Sequence, residues 1–324
     1  MQRNCTTTAG LGLVALLALS AIPGCGDDAN SGEATGTSDA NTTGDDQGST
    51  DGEESEGEGE SEGEAPAPVS PRGRLVVDEV YFTGSPPFGG AEHYFSDQFI
   101  AVYNVSDEPV AAGGLLVGDV FGVAGEINPG NEPHGLAEDL DHVYMQNVWR
   151  IPGAPEDVII EPGERLVIAQ DGTNHNPFST VDLSGADFET YVAESDKDDD
   201  YPTVENLELL HYNAGFDWLI SVFGASVVIA SLEDESGVEE FEHEGWTLVR
   251  LPVASVIDGV DIVMDAESDA FKRLPSTVDR GFTFASGTYT GEAVLRRRGD
   301  GRPVDTDDSS ADFELTSEPD PWRL

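Results

Sequence analysis

The chain has 324 residues, with 64 acidic against 15 basic side chains and a formal net charge of −49. A surface this acidic repels nucleic acid and anionic lipid, which excludes a phosphate-backbone partner and favours cationic partners or divalent metals. Two Cys are present, and the first, Cys5, lies in the N-terminal segment, so a disulfide-stapled scaffold is excluded as well.

Residues 1–24 read as a lipoprotein signal peptide. One positive charge at Arg3 precedes an apolar run from Gly10 to Ile22, too short for a membrane span but suited to a signal core. The run ends in Ile22-Pro23-Gly24-Cys25, which resembles the lipobox of bacterial lipoproteins and makes Cys25 the lipidated residue. A single Cys left in the mature chain agrees with that use. Residues 25–72 follow as a tether. Between 26 and 64 there are fourteen Asp or Glu and no Lys or Arg, a composition that cannot bury enough apolar surface to order itself. A random coil of this length spans roughly 35–40 Å. These features predict a bacterial protein held at the outer membrane or cell surface by lipid.

Residues 73–324 read as one domain of short strands broken by Gly and Pro. Strands are expected over Leu75–Phe82, Phe99–Asn104, Val110–Val117, Val143–Ile151, Arg165–Gln170, Ser226–Ala230, Thr247–Val253, Gly259–Met264 and Gly291–Arg298. Helical signals are few: Ser184 can cap a short helix over Ala186–Glu194, and Asp269–Leu274 can form another. Strands at this spacing, with turn signals between them, predict a mainly β sandwich or barrel with short helices as inserts.

In order along the chain, "LVVDEVYFTGS", "YFSDQFIAVYNVSDEPV", "EPGERLVIAQDGTNHN", "VDLSGADFETY" and "DTDDSSADF" resemble an uncharacterised bacterial lipoprotein family known only as a domain of unknown function. That family is similar to lamin-tail domains. The resemblance implies an immunoglobulin-like (lamin-tail-like) β-sandwich with loop insertions, and it implies no reaction. The chain departs from the family pattern at Asp78, at Ala101, and at Asp307 and Asp308 within Asp305 to Ser309.

The standard catalytic signatures, such as G-x-S-x-G, H-E-x-x-H and the phosphate-binding Gly-rich loop, do not occur. Calcium is the one cofactor that an acidic chain of this kind offers. Asp196, Asp198 and Asp200 have the spacing of the first EF-hand ligands, but Tyr201 and Leu207 stand where Gly and Glu are required. Asp305, Asp307, Asp308 and Asp312 leave a calcium loop of another type open, although short polar side chains closing a turn explain them first. A second candidate loop holds Asp171, Asn174, His175 and Asn176, where His175 serves as a ligand or, ahead of that, as a polar clamp. The six His are far apart in sequence, so no local transition-metal site is written in it. Arg298-Gly299-Asp300 reads as a strand-to-turn step whose arginines pair with carboxylates, and Trp149, Trp218, Trp246 and Trp322 read first as core. The tetrapeptide Ala-Asp-Phe-Glu occurs at 186–189 and 311–314, which points to a shared turn grammar rather than a repeat.

The function that follows is a non-catalytic, membrane-anchored surface module with a binding or structural role, whose partners are the membrane, through the lipid, and a protein or glycan ligand. The alternatives are an extracellular calcium-dependent hydrolase, for example on glycans, and an accessory lipoprotein of an outer-membrane nutrient or metal uptake system.

Overall fold

Branched and aromatic residues in short runs, each ended by Gly, Pro or Asp, leave the backbone little choice but strands. A computed structural model describes residues 70–213, 217, 220–232 and 238–323, all in the unit Glu62–Leu324. The signal segment, Cys25, the tether before residue 70 and Trp218 lie outside the described residues.

The strands in chain order are β1 (Leu75–Tyr81), β2 (Phe99–Asn104), β3 (Val110–Ala111), β4 (Leu116–Val120), β5 (His142–Arg150), β6 (Ile159–Ile160), β7 (Arg165–Ala169), β8 (Phe188–Glu189) and β9 (Glu205–Asn206). Next come β10 (Glu208–His211), β11 (Val227–Ala230), β12 (Glu239–His243), β13 (Trp246–Pro252), β14 (Val256–Val260), β15 (Ala293–Arg296), β16 (Arg298–Gly299), β17 (Arg302–Pro303) and β18 (Phe313–Thr316), the last led in by the one-turn helix α1 (Ser309–Asp312). The first sheet has the order β18-β15-β1-β2-β7-β8-β9, antiparallel except for the parallel β7–β8 and β8–β9 pairs. The second has the order β12-β13-β5-β4-β11-β14. β10 also pairs with β5, taking the far end of the edge that β13 uses.

One apolar cluster joins the two sheets: Leu75, Val77, Ile100 and Ile168 from the first meet Val117, Trp149, Ile229 and Val260 from the second. Each sheet also has apolar side chains on its other face. Tyr81, Phe99 and Val167 pack under Val181, Leu183 and Val204, while Met145, Val228 and Leu251 pack against Leu274 and Val278. Both faces are therefore covered, which explains why β1, β2, β4 and β11 are buried at every position.

A bulge in β1 sets the register. Val77 faces Val102 and Glu79 faces Ala101, so Asp78 is the extra residue. Strict alternation would put Val77 and Val80 on opposite faces, yet both enter the shared core. The bulge leaves the adjacent Asp78 and Glu79 on one side, both paired with Arg165.

Several expectations are corrected. The strand expected over Val110–Val117 is two, β3 and β4, because Gly113 and Gly114 turn between them. Any Cβ at Gly113 would lie 1.9 Å from the Ala154 carbonyl oxygen, and Gly114 has φ 79°. The strand expected over Gly259–Met264 lies earlier, at β14, because the Asp261 side chain accepts hydrogen bonds from the Arg273 and Leu274 backbone and Ile262 leaves β11 to bridge Thr283. The helix expected over Ala186–Glu194 is the strand β8: Asp187 exchanges backbone and side-chain hydrogen bonds with Val167, and Ser184 bonds Asp182 instead of capping a helix. Only a single 3-10 turn, Asp269–Phe271, forms where Asp269–Leu274 was expected to be helical. Trp149 is core as expected, whereas Trp246 and Trp322 are exposed. Both copies of Ala-Asp-Phe-Glu send their Phe, Phe188 and Phe313, into the shared core.

Candidate functional site

The first predicted loop is closed by an arginine. Asp312 is buried and accepts from the Thr306 amide and hydroxyl at 2.8 and 2.7 Å and from the Asp308 amide at 3.2 Å. Asp308 accepts from the Ser310 amide at the start of α1, and Asp305 accepts from the Asp307 amide. The Arg296 guanidinium lies between Asp305 and Asp312, at 3.1 and 3.5 Å, and also pairs with Asp258. Arg298 of the Arg-Gly-Asp tripeptide likewise pairs with Asp78, inside the β16–β17 hairpin.

In the second predicted loop, His175 is a clamp. Its Nδ1 lies 2.6 Å from the Tyr94 hydroxyl and its Nε2 3.1 Å from the Asp171 carbonyl oxygen, and burial lowers its pKa. Asn174 donates to Asp182 and accepts from the Asn176 amide just before the cis Asn176–Pro177 bond. The side chain of Asp171 turns to a different group.

Asp171, Asp198 and Asp217 bring one carboxylate oxygen each within 4.8 Å of one another, and all three are buried. Asp171 leaves the end of β7, Asp198 lies in the loop after β8, and Asp217 precedes β11. Glu189 of β8 ties the first two loops together by accepting from the Gly172 and Tyr201 amides at 2.6 and 2.8 Å. Asp198 accepts from the Val192 amide, and the Gln170 amide donates to Asp217. Burial, followed by the charge of Asp217, pushes the Asp171 carboxyl up to about 8. The same two causes push Asp198 up to about 7, and burial pushes Glu189 up to about 7. Sequence reading singled out Asp171 alone of the three. Asp198 fell with the failed EF-hand spacing, and Asp217 carried no signal of its own.

The same end of the molecule carries an aromatic groove. A hollow of about 480 Å³ is lined by Phe82, Val222, Phe223, Met264 and Phe284, with Asp265 and Glu267 at its side. An adjoining hollow of about 250 Å³ adds Phe95, Ile220 and Tyr289. Gln98 donates to the Phe82 and Ile220 carbonyls and so fastens two of the groove walls. A third group joins His134, His243 and the exposed Glu244 around Phe121, away from the acidic cluster in sequence and on the β12–β13 hairpin side. Sequence spacing could not show this pairing of two histidines 109 positions apart.

No curated protein matches the chain. A solved crystal structure of a DUF4876 family protein from Bacteroides thetaiotaomicron is similar at 26% identity with a TM-score of 0.63, over 75% of this chain and 71% of that one. Residues 161–320, which hold the acidic cluster, most of the groove and the Arg296 centre, match the family described as "Protein of unknown function (DUF4876)". Over residues 161–320 the chain is thus similar to the DUF4876 family, and its fold is similar to a solved structure from that family.

Proposed function

We propose that the protein is a non-catalytic surface module: an immunoglobulin-like, lamin-tail-like sandwich tethered to the outer membrane by lipid on Cys25, which binds a partner protein in the aromatic groove. The groove carries this reading. Phe223 and Phe284 keep 38% and 37% of their surface exposed, a standing cost unless a partner covers them. Asp265 and Glu267 beside them, on a strongly acidic domain, suit a polypeptide segment with apolar side chains flanked by Lys or Arg. The competing hydrolase would need an acid and a base facing a cleft. The carboxylates with the most raised pKa, Asp171, Asp198 and Asp258, are more than nine-tenths buried.

Two measurements test this reading. A displayed peptide library should enrich apolar-basic sequences on the wild-type protein, and the Phe223→Ser/Phe284→Ser double variant should bind them at least about tenfold more weakly. Enrichment on a glycan array instead, or equal binding by the variant, contradicts the proposal. Cys25→Ala should move the protein from the membrane fraction to the soluble one with an unchanged melting temperature, since the acidic stretch that follows Cys25 has no apolar residue larger than alanine to build a core with. Retention in the membrane would refute the anchor.

A further inference from the structure

We propose that Asp171, Asp198 and Asp217, with the side-chain carbonyl of Gln170, form a binding site for one calcium ion. Acidic residues alone would not justify this, but the oxygens here are left unsatisfied in a way that a cation would correct. Oδ1 of Asp171, Oδ1 of Asp198 and Oε1 of Gln170 have no hydrogen-bond partner. Their residues are 8%, 8% and 2% exposed. Gln170 is not itself acidic, and the carboxamide that carries this orphaned oxygen donates its N–H to the Asp217 carboxylate. Buried polar oxygens in folded proteins almost always have partners, and exceptions call for an explanation.

The geometry and chemistry select the ion. Two oxygens bound to one calcium at ~2.3–2.6 Å can be no more than about 5 Å apart, and the three carboxylate oxygens meet within 4.8 Å. The donors are all oxygens, which fits calcium or magnesium and not a thiolate- or imidazole-seeking metal. Magnesium holds its waters and requires strict octahedral geometry, whereas calcium accepts buried, loop-built, irregular sets. The charged groups acting most on Asp171 are Asp217, Asp198 and Glu189, all of one sign. A divalent cation would balance them.

The ion would join the loops that follow the paired strands β7 and β8 to the segment that precedes β11. Glu189 already fastens the Gly172 and Tyr201 segments, but Asp217 stands at the start of the stretch leading to Ile220, Val222 and Phe223. Calcium would therefore hold one wall of the aromatic groove. This coupling to the groove rests on the function proposed above, and the ion site does not.

The test uses the full-length protein, stripped with chelator and then titrated with calcium chloride. Calcium should raise the melting temperature by several degrees and bind with a stoichiometry of one by calorimetry. Asp171→Asn and Asp198→Asn should each weaken binding by roughly 10–100-fold or more. Both variants should keep or exceed the wild-type melting temperature without calcium, since each removes a buried like charge, and this separates loss of the ion from loss of the fold. Asp305→Asn, at the arginine-closed loop, should leave calcium affinity unchanged. Absence of heat and of any melting shift at millimolar calcium overturns the site. So does an equal response from Asp171→Asn, and a response to magnesium but not to calcium overturns the choice of ion. If calcium binds but leaves apolar-basic peptide binding unaltered, the site stands and its link to the groove falls.

Discussion

Replacing Arg296 with alanine is expected to cost about 3–5 kcal/mol of stability, because it leaves buried carboxylates without their cation. Arg296 is 1% exposed, packs its guanidinium 4.6 Å from the Phe313 ring centre and donates to the Val77 and Val304 carbonyls. It is also the shared partner of Asp258, Asp305 and Asp312. Burial already pushes Asp258 up to about 7 although Arg296 pulls the other way, so removing Arg296 takes away the main force keeping that carboxyl ionised. For a domain of this size the loss corresponds to a fall in melting temperature of roughly 10 °C. Arg296→Lys should fall between the two, since one ammonium cannot reproduce a guanidinium that spans five acceptors. Chemical denaturation of the three proteins measures this directly. A loss below about 1 kcal/mol for the alanine variant would mean that the carboxylates find other partners or simply take up protons at little cost.

A comparable loss, about 3–5 kcal/mol, is expected for Asp78→Ala. Asp78 is fully buried at the β1 bulge, where it accepts from Arg165 Nε at 2.8 Å and from Arg298 Nη2 at 2.8 Å. Arg165 goes on to Glu79 at 3.1 Å, and Glu79 meets Arg323 and accepts from the Asp320 amide. The network thus pins β7, the β16–β17 hairpin and the C-terminal segment to one strand. Because the members share partners, Asp78→Ala and Arg165→Ala should not add: a double-mutant cycle should return a coupling of about 1–3 kcal/mol. Strict additivity would show that the two side chains act separately.

The outcome for individual strands shows where one-dimensional reading works. Leu75–Phe82, Phe99–Asn104, Val143–Ile151 and Arg165–Gln170 were placed to within a residue, because each is a dense branched or aromatic run that ends at a strong turn signal. The β1 bulge was not legible, since nothing in LVVDEVY marks Asp78 as the residue left out of the ladder. Ser184-Gly185-Ala186-Asp187 has a helix-start grammar, but the parallel pairing of β8 with β7 overrides that local preference. The candidate site divides in the same way. Asp171 and His175 stood out because they follow a strand in a polar loop, whereas Asp198 was set aside for lacking EF-hand spacing and Asp217 was not noticed.

The sequence by itself determined the class of the folded part: an acidic, mainly β domain resembling a family of unknown function. Those properties follow from composition and from runs of neighbouring residues, and neighbours are what a sequence displays. Tertiary structure decided which charges meet. Two Asp-rich stretches looked alike on paper, yet Asp305 and Asp312 close on Arg296, while Asp171, Asp198 and Asp217 face one another with oxygens unpartnered on Asp171, Asp198 and the adjoining Gln170. The difference lies in burial and long-range pairing: an arginine from β15 reaches the first group, and three loops fold the second inward. No local pattern encodes either event.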